Sequence, residues 1–245
     1  MCFDAGSQPD AGHDILWFMC GRYALRSREA YLAAVYGLID VFGGLTPRYN
    51  IAPMQWAPVV VNDAGGKRVL RSMRWGLTPH WADDPAIGNW LINARAETIA
   101  AKPAFREAYQ HRRCAIPADG FYEWQKQGRS KQPYYIHRRD GEPLAFAGLW
   151  ESWTGPDRQP LDTFTIITTE PNELMRPIHN RMPVILQADE VADWLGDDIL
   201  AAAKRLRPCD DDLLEAVAVS TQVNSPANDG PQLIEPMGKD PDMLF

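Results

Sequence analysis

Twenty prolines and 18 glycines run through 245 residues and cut the chain into short apolar pieces, with no repeat or long polar linker between them. Proline removes a hydrogen bond from a helix interior or a central strand, and glycine weakens both, so the pieces have to be short. Pro58 to Asn62 and Arg68 to Trp75 are β-branched or alternating runs around Ala64-Gly65-Gly66, the pattern of a hairpin. Pro133 to Arg138, Leu144 to Ser152, Asp162 to Thr169 and Val217 to Ser220 read as further strands. Helical spacing is rarer. It occurs over Ser27 to Tyr36, with Ser27 as N-cap and Gly37 as stop, and over Pro103 to Tyr109, Ala188 to Leu195 and Ile199 to Leu206. Many strands and few helices predict an α+β chain, mostly β, with an antiparallel or mixed sheet curled toward a barrel and helices at its periphery.

A chain of this length with 45% hydrophobic residues can bury one substantial core. A single domain over 19–236 is expected, followed by a short tail at 237–245. Met1 to Phe18 is polar and irregular and is read as a disordered leader or, preferably, as a stretch upstream of a true start at Met19. The formal charge of -7 sits at the two ends. Residues 19–188 hold 21 Lys and Arg against 16 Asp and Glu, so the middle can present a basic groove to nucleic acid despite the acidic total. Cys2, Cys20, Cys114 and Cys209 stand far apart and the five histidines lack ligand spacing, so neither a metal nor a disulfide framework is expected. No run of about 18 apolar residues is present to span a bilayer. The expected setting is the reducing cytoplasm.

Met19-Cys20-Gly21-Arg22-Tyr23 carries the most distinctive chemistry. If the mature chain begins at Cys20, one residue offers both a free α-amine and a thiol. Such a 1,2-aminothiol condenses with an aldehyde to an imine and then closes to a five-membered thiazolidine. Asn93, Arg95 and Glu97 fall at period two and share one face if extended. Glu123 lies among the aromatics of Gly120-Phe121-Tyr122-Glu123-Trp124, where desolvation would raise its pKa toward neutrality and suit it to proton transfer. His179 sits in a polar loop beside Arg181, just before an apolar run. Of the tryptophans in Trp75-Gly76-Leu77-Thr78-Pro79-His80-Trp81, the first reads as core. Trp81, among polar residues, is placed to stack on a base. Cys114 reads as a small buried hydrophobe.

Together with Tyr49-Asn50-Ile51-Ala52-Pro53, Asn93-Ala94-Arg95-Ala96-Glu97-Thr98, His179-Asn180-Arg181-Met182-Pro183 and Val223-Asn224, these segments resemble the SOS response-associated peptidase (SRAP) family. The likeness runs from Cys20 to about Pro236. It implies the SRAP half-barrel fold and a function in the DNA damage response, the covalent shielding of abasic sites in single-stranded DNA. By that likeness Cys20 forms the crosslink, Asn93 positions the sugar, Glu123 handles protons and orients the amine, and His179 acts as acid or base at the deoxyribose. Arg22, Arg95 and Arg181 would contact phosphates. Asn50, Pro53, Trp75, Trp81 and Thr168 would line the DNA path.

The resemblance calls for no cofactor or metal. It leads to the expectation of a monomer that joins the nucleoid on damaged DNA. The 18 residues before Met19 depart from the family pattern, because a blocked α-amine abolishes the reaction. Two other readings stay open: a thiol peptidase using Cys20 with His179 as base, acting on its own leader, and a non-covalent single-strand binder. An abasic-site lyase activity would accompany covalent shielding if the imine eliminated before the ring closed.

Overall fold

The computed structural model of the protein describes residues 20–39, 44–156 and 158–238; the expected leader and most of the tail lie outside them. In chain order the elements are β1 (Tyr23–Leu25), α1 (Glu29–Tyr36), β2 (Arg48–Ile51), β3 (Trp56–Asn62), β4 (Arg68–Trp75), β5 (Asn93–Arg95), α2 (Arg106–His111) and β6 (Arg113–Ala118). There follow β7 (Gly120–Gln127), β8 (Ser130–Arg138), β9 (Leu144–Thr154), β10 (Pro160–Thr169), β11 (Met182–Pro183), β12 (Ile185–Leu186), α3 (Glu190–Leu195), α4 (Ile199–Ala203) and β13 (Leu214–Ala218).

Strands β10, β4, β3, β6 and β9 pair in that order, and β9 pairs back onto β10, closing a five-stranded barrel. Closure leaves these strands without an open edge, which disposes of the aggregation hazard of a curled sheet. The expected hairpin is there: β3 and β4 run antiparallel from Trp56 opposite Arg74 to Asn62 opposite Arg68. One pairing in the ring is parallel, with Phe164 of β10 opposite Trp75 of β4, so the sheet is mixed. At Gly148 on β9 an added Cβ would fall 2.2 Å from Ile116 Cδ1 and 2.8 Å from the Thr165 carbonyl, so only glycine fits where β6, β9 and β10 crowd together.

A second sheet has the order β13-β8-β7-β1-β2, antiparallel throughout. Its inner face joins the barrel through Tyr23, whose ring centre lies 5.3 Å from that of Trp75 and 6.0 Å from that of Phe146. Its outer face buries a smaller cluster of Ala24, Tyr122, Tyr135, Val219, Val223 and Leu233.

Helix α1 begins at Glu29 and does not use Ser27 as its cap. The Ser27 hydroxyl donates instead to Asp119 Oδ1, while Asp119 Oδ2 accepts from the backbone of Arg26 and Ser27. A buried carboxylate needing donors outcompetes the helix for this serine. The stop is as expected: Gly37 takes φ 63° and donates its N–H to Ala33 O. Helices α3 and α4 are each shorter than their sequence pattern, and α2 starts three residues beyond Pro103.

Candidate reactive centre and nucleic-acid interface

The register of β1 against β7 builds the centre. Tyr23 stands opposite Phe121, and the Tyr122 N–H donates to Arg22 O, so the chain upstream of β1 runs back along β7 toward Glu123. Cys20 then takes φ 44°, in the left-handed region that side chains seldom adopt. Its backbone nitrogen donates to Glu123 Oε1 at 2.6 Å. Both residues are buried. Burial pushes the Glu123 carboxyl up to about 8, opposed by the hydrogen bonds it receives from the Cys20 and Trp124 backbone. Burial, aided by the charge of Glu123, drives the Cys20 thiol well above its usual range, so at neutral pH it is a thiol and not a thiolate.

Arg22 and Asn50 form the wall beside it. The guanidinium donates to Asn50 Oδ1 (3.0 Å), Val223 O (2.8 Å) and Asn224 O (3.2 Å), all neutral acceptors. Desolvation lowers its pKa. Asn50 Nδ2 donates in turn to the carbonyls of Val223, Ser225 and Asn228. Trp124 Nε1 donates to Asn224 Oδ1 at 2.7 Å. Asn50 is therefore a buried tie that holds the 223–228 loop.

A second group gathers at the C-terminal end of β10. Strand β5 lies parallel to β10, with Asn93 opposite Ile166 and Arg95 opposite Thr168, while β11 pairs Pro183 with Thr168 on the other side. Arg181 makes a two-pronged ion pair with Glu97 and donates to Thr168 O at 2.6 Å. Arg181 accordingly holds Glu97 below the usual carboxylate range. Thr168 is wholly buried and serves Arg181 through its carbonyl. Arg95 is exposed. His179 Nδ1 lies 3.2 Å from the Arg181 backbone nitrogen and 3.3 Å from the Arg181 carbonyl oxygen, accepting from the first in one neutral tautomer and donating to the second in the other. Burial lowers the His179 pKa from 6.5, so the ring is neutral at pH 7.

The two groups meet along β7, where Gln125 Nε2 donates to Pro177 O at 3.0 Å, two residues before His179. Pro53 is half-buried and Trp81 is 53% exposed. The loop under Trp81 is pinned by Trp153 Nε1 donating to Ala82 O (2.7 Å) and by His80 Nδ1 lying 3.3 Å from Glu151 Oε2. Trp75 is fully buried, stacked on Phe164 and donating to Ile92 O, in the core as its sequence setting suggested. Cys114 is buried, as expected of a small hydrophobe. Among the described residues no His, Cys, Asp and Glu cluster could hold a metal, and no helix is long and apolar enough to cross a membrane.

The family model for SOS response associated peptidase (SRAP) matches residues 19–226. The chain belongs to the SRAP family. It is 46% identical over 226 residues to abasic site processing protein YoqW of Bacillus subtilis, covering 89% of this chain and 99% of that one. Abasic site processing protein YedK of Escherichia coli is 32% identical over 89% of this chain and all of its own length. The Gallus gallus abasic site processing protein HMCES is 35% identical, with 80% of this chain and 68% of that protein aligned. A solved structure from Bacteroides thetaiotaomicron superposes with a TM-score of 0.81 at 29% identity, over 89% of this chain and 100% of that one. The mostly β architecture with a curled, closing sheet is thus the SRAP fold.

Within this SRAP chain, Glu97 reads from sequence only as one of three polar residues on a shared face, and Asn224 only as part of a motif. Both stood inside motifs that carry the family likeness, yet their roles depend on partners 84 and 100 residues away.

Proposed function

We propose that this protein captures abasic sites in single-stranded DNA as a covalent adduct on Cys20 and so shields them in the DNA damage response. The observation that carries the reading is Glu123 Oε1 at 2.6 Å from the Cys20 nitrogen, both residues being buried. A buried carboxyl near pKa 8 can hold or release a proton at that nitrogen at cell pH. The proposal requires Met19 and everything before it to be removed, leaving a free α-amine with a pKa of about 7.7 to 8.0.

In the reaction, the neutral amine adds to the aldehyde of the ring-opened sugar, and water leaves to give an imine. The thiol sulfur then bonds to the imine carbon, and its proton passes to the nitrogen. Water is the only product lost. Ring closure starts from the thiol, the form this pocket favours. It also consumes the imine before the 3′ phosphate can eliminate, so lyase products should be minor. His179, a neutral ring at pH 7, aids ring opening of the sugar, and Asn93 positions it. Arg22, Arg95 and Arg181 hold phosphates, while Pro53 and Trp81 face the strand.

The peptidase reading fits less well. A thiol nucleophile needs a base that ionises it, and the hydrogen bonds of His179 go to the Arg181 backbone while the Cys20 thiol is held protonated.

The test is a denaturing gel with a single-stranded oligonucleotide bearing one abasic site. The chain begun at Met19 should give a heat-stable adduct that Cys20→Ser abolishes and Cys114→Ser leaves intact. Equal, equally stable adduct from Cys20→Ser would overturn the proposal.

A further inference from the structure

Beyond its last ties to the rest of the fold, which include the Val219 N–H donating to Pro133 O, Gln132 Nε2 donating to Val219 O and Gln125 Nε2 donating to Pro177 O, the β7–β8 pair continues as a two-stranded ribbon. β1 pairs with β7 only at Gly120 and Phe121, and β13 pairs with β8 only from Tyr134 onward. The ribbon's last rungs are Gln125 opposite Gln132, Lys126 opposite Lys131 and Gln127 opposite Ser130, closed by a turn with Gly128 at φ 61°. Lys126 and Lys131 are thus direct cross-strand neighbours of like charge, an arrangement that destabilises a sheet. Arg129 adds a third cation at the turn. All three are exposed, and Lys126 and Arg129 enter no ion pair among the described residues. Trp124, half-buried, shares the lysines' face of β7, because side chains alternate along a strand. An aromatic followed by a cluster of cations is the composition of a single-strand binding track, in which bases stack and phosphates are neutralised.

The position is as informative as the composition. The ribbon grows out of the strand that carries Glu123, and Lys126 lies about 10 Å along it from that residue. Lys131 is close enough for its charge to act on His179. Gln125 ties the same ribbon to the loop before His179.

We infer that the β7–β8 ribbon, through Lys126, Arg129 and Lys131, is a phosphate-binding extension that grips the single strand on one side of the lesion. The inference rests on the proposed function and deepens it. The like-charge rung costs stability in the free protein, and a polyanion laid across it offsets that cost.

The experiment measures equilibrium binding of the full chain to single-stranded oligonucleotides without a lesion, over a range of salt, together with adduct formation on lesion-bearing oligonucleotides extended only 5′ or only 3′. In Lys126→Gln/Lys131→Gln the slope of log K against log salt should flatten by about 1.4, the value for two lost phosphate contacts on a single strand. Adduct yield at limiting protein should fall for one of the two extended oligonucleotides and not the other. Lys126→Glu should lose binding further while leaving the melting temperature unchanged or higher, since it turns a repulsive rung into an attractive one. A wild-type slope in the double variant, or equal loss on both extended oligonucleotides, overturns the extension while leaving adduct chemistry standing. Absence of both salt-dependent binding and adduct in the wild type overturns the proposed function and the extension together.

Discussion

The Cys20 nitrogen and the Glu123 carboxylate, 103 residues apart in the chain, are in hydrogen-bond contact at 2.6 Å inside the protein. The register of two strands produces that contact, and burial gives it a carboxyl that titrates near neutrality. Everything distinctive in the proposed chemistry follows from those two facts.

Glu123 should make stability depend on pH while Cys20 remains in peptide linkage. Its carboxyl titrates at about 8 in the folded chain against an ordinary 4.5, so the folded state keeps a proton that the unfolded state has released. That contribution is whole below about pH 4.5 and is lost as pH rises through 8. Relative to Glu123→Gln, the wild type should therefore lose on the order of a few kcal/mol between about pH 5 and pH 9. Urea unfolding of both chains at each pH measures it; parallel curves would mean Glu123 stays ionised.

His179→Ala should slow adduct formation on the order of 10²-fold. Because burial lowers its pKa below 6.5, the neutral ring persists at pH 7 and is lost only on further acidification. The wild-type rate should then carry an acid limb below pH 6.5 that the variant lacks, read from single-turnover gels across pH. An identical limb in both chains assigns it to another group.

The two tryptophans of the Trp75 to Trp81 loop should separate cleanly. Trp81→Ala should weaken single-strand binding by about 1 to 3 kcal/mol with little change in melting temperature. Trp75→Ala empties a fully buried site and should cost about 3 to 5 kcal/mol of stability. Binding titrations and thermal unfolding on both variants make the comparison, and equal effects on binding would contradict the assignment.

Asn50→Ala strips three carbonyls and the Arg22 guanidinium of a partner at once. About 1 to 3 kcal/mol of stability should go with it. Hydrogen exchange should show faster opening confined to the 223–228 loop, whereas a uniform change would place the cost elsewhere.

Local pattern was legible wherever a few consecutive residues settle the outcome. The hairpin around Gly65 and Gly66, the stop at Gly37 and the exposure of Trp81 beside Trp75 in the core all follow from neighbours within one turn or one strand. Even there, Ser27 was lost to Asp119, 92 residues distant, because a buried carboxylate demands donors from wherever they lie. Thr168 and Asn50 meet the same limit: a polar residue in a motif reads alike whether it faces solvent or ties a loop from within.

By itself, then, the sequence determined the mostly β class, the motif set that marks the SRAP family and, within that set, Cys20, which offers an aminothiol if the mature chain begins there. Those depend on composition, on alternation along a strand and on covalent order, which are properties of the chain. Only the tertiary structure decided that β9 closes on β10, that Glu123 is desolvated against the Cys20 nitrogen and that Arg181 is paired with Glu97. Each of these joins segments far apart in the chain, and the free energy that fixes it, burial of apolar surface together with the satisfaction of charges inside it, exists only once those segments have met.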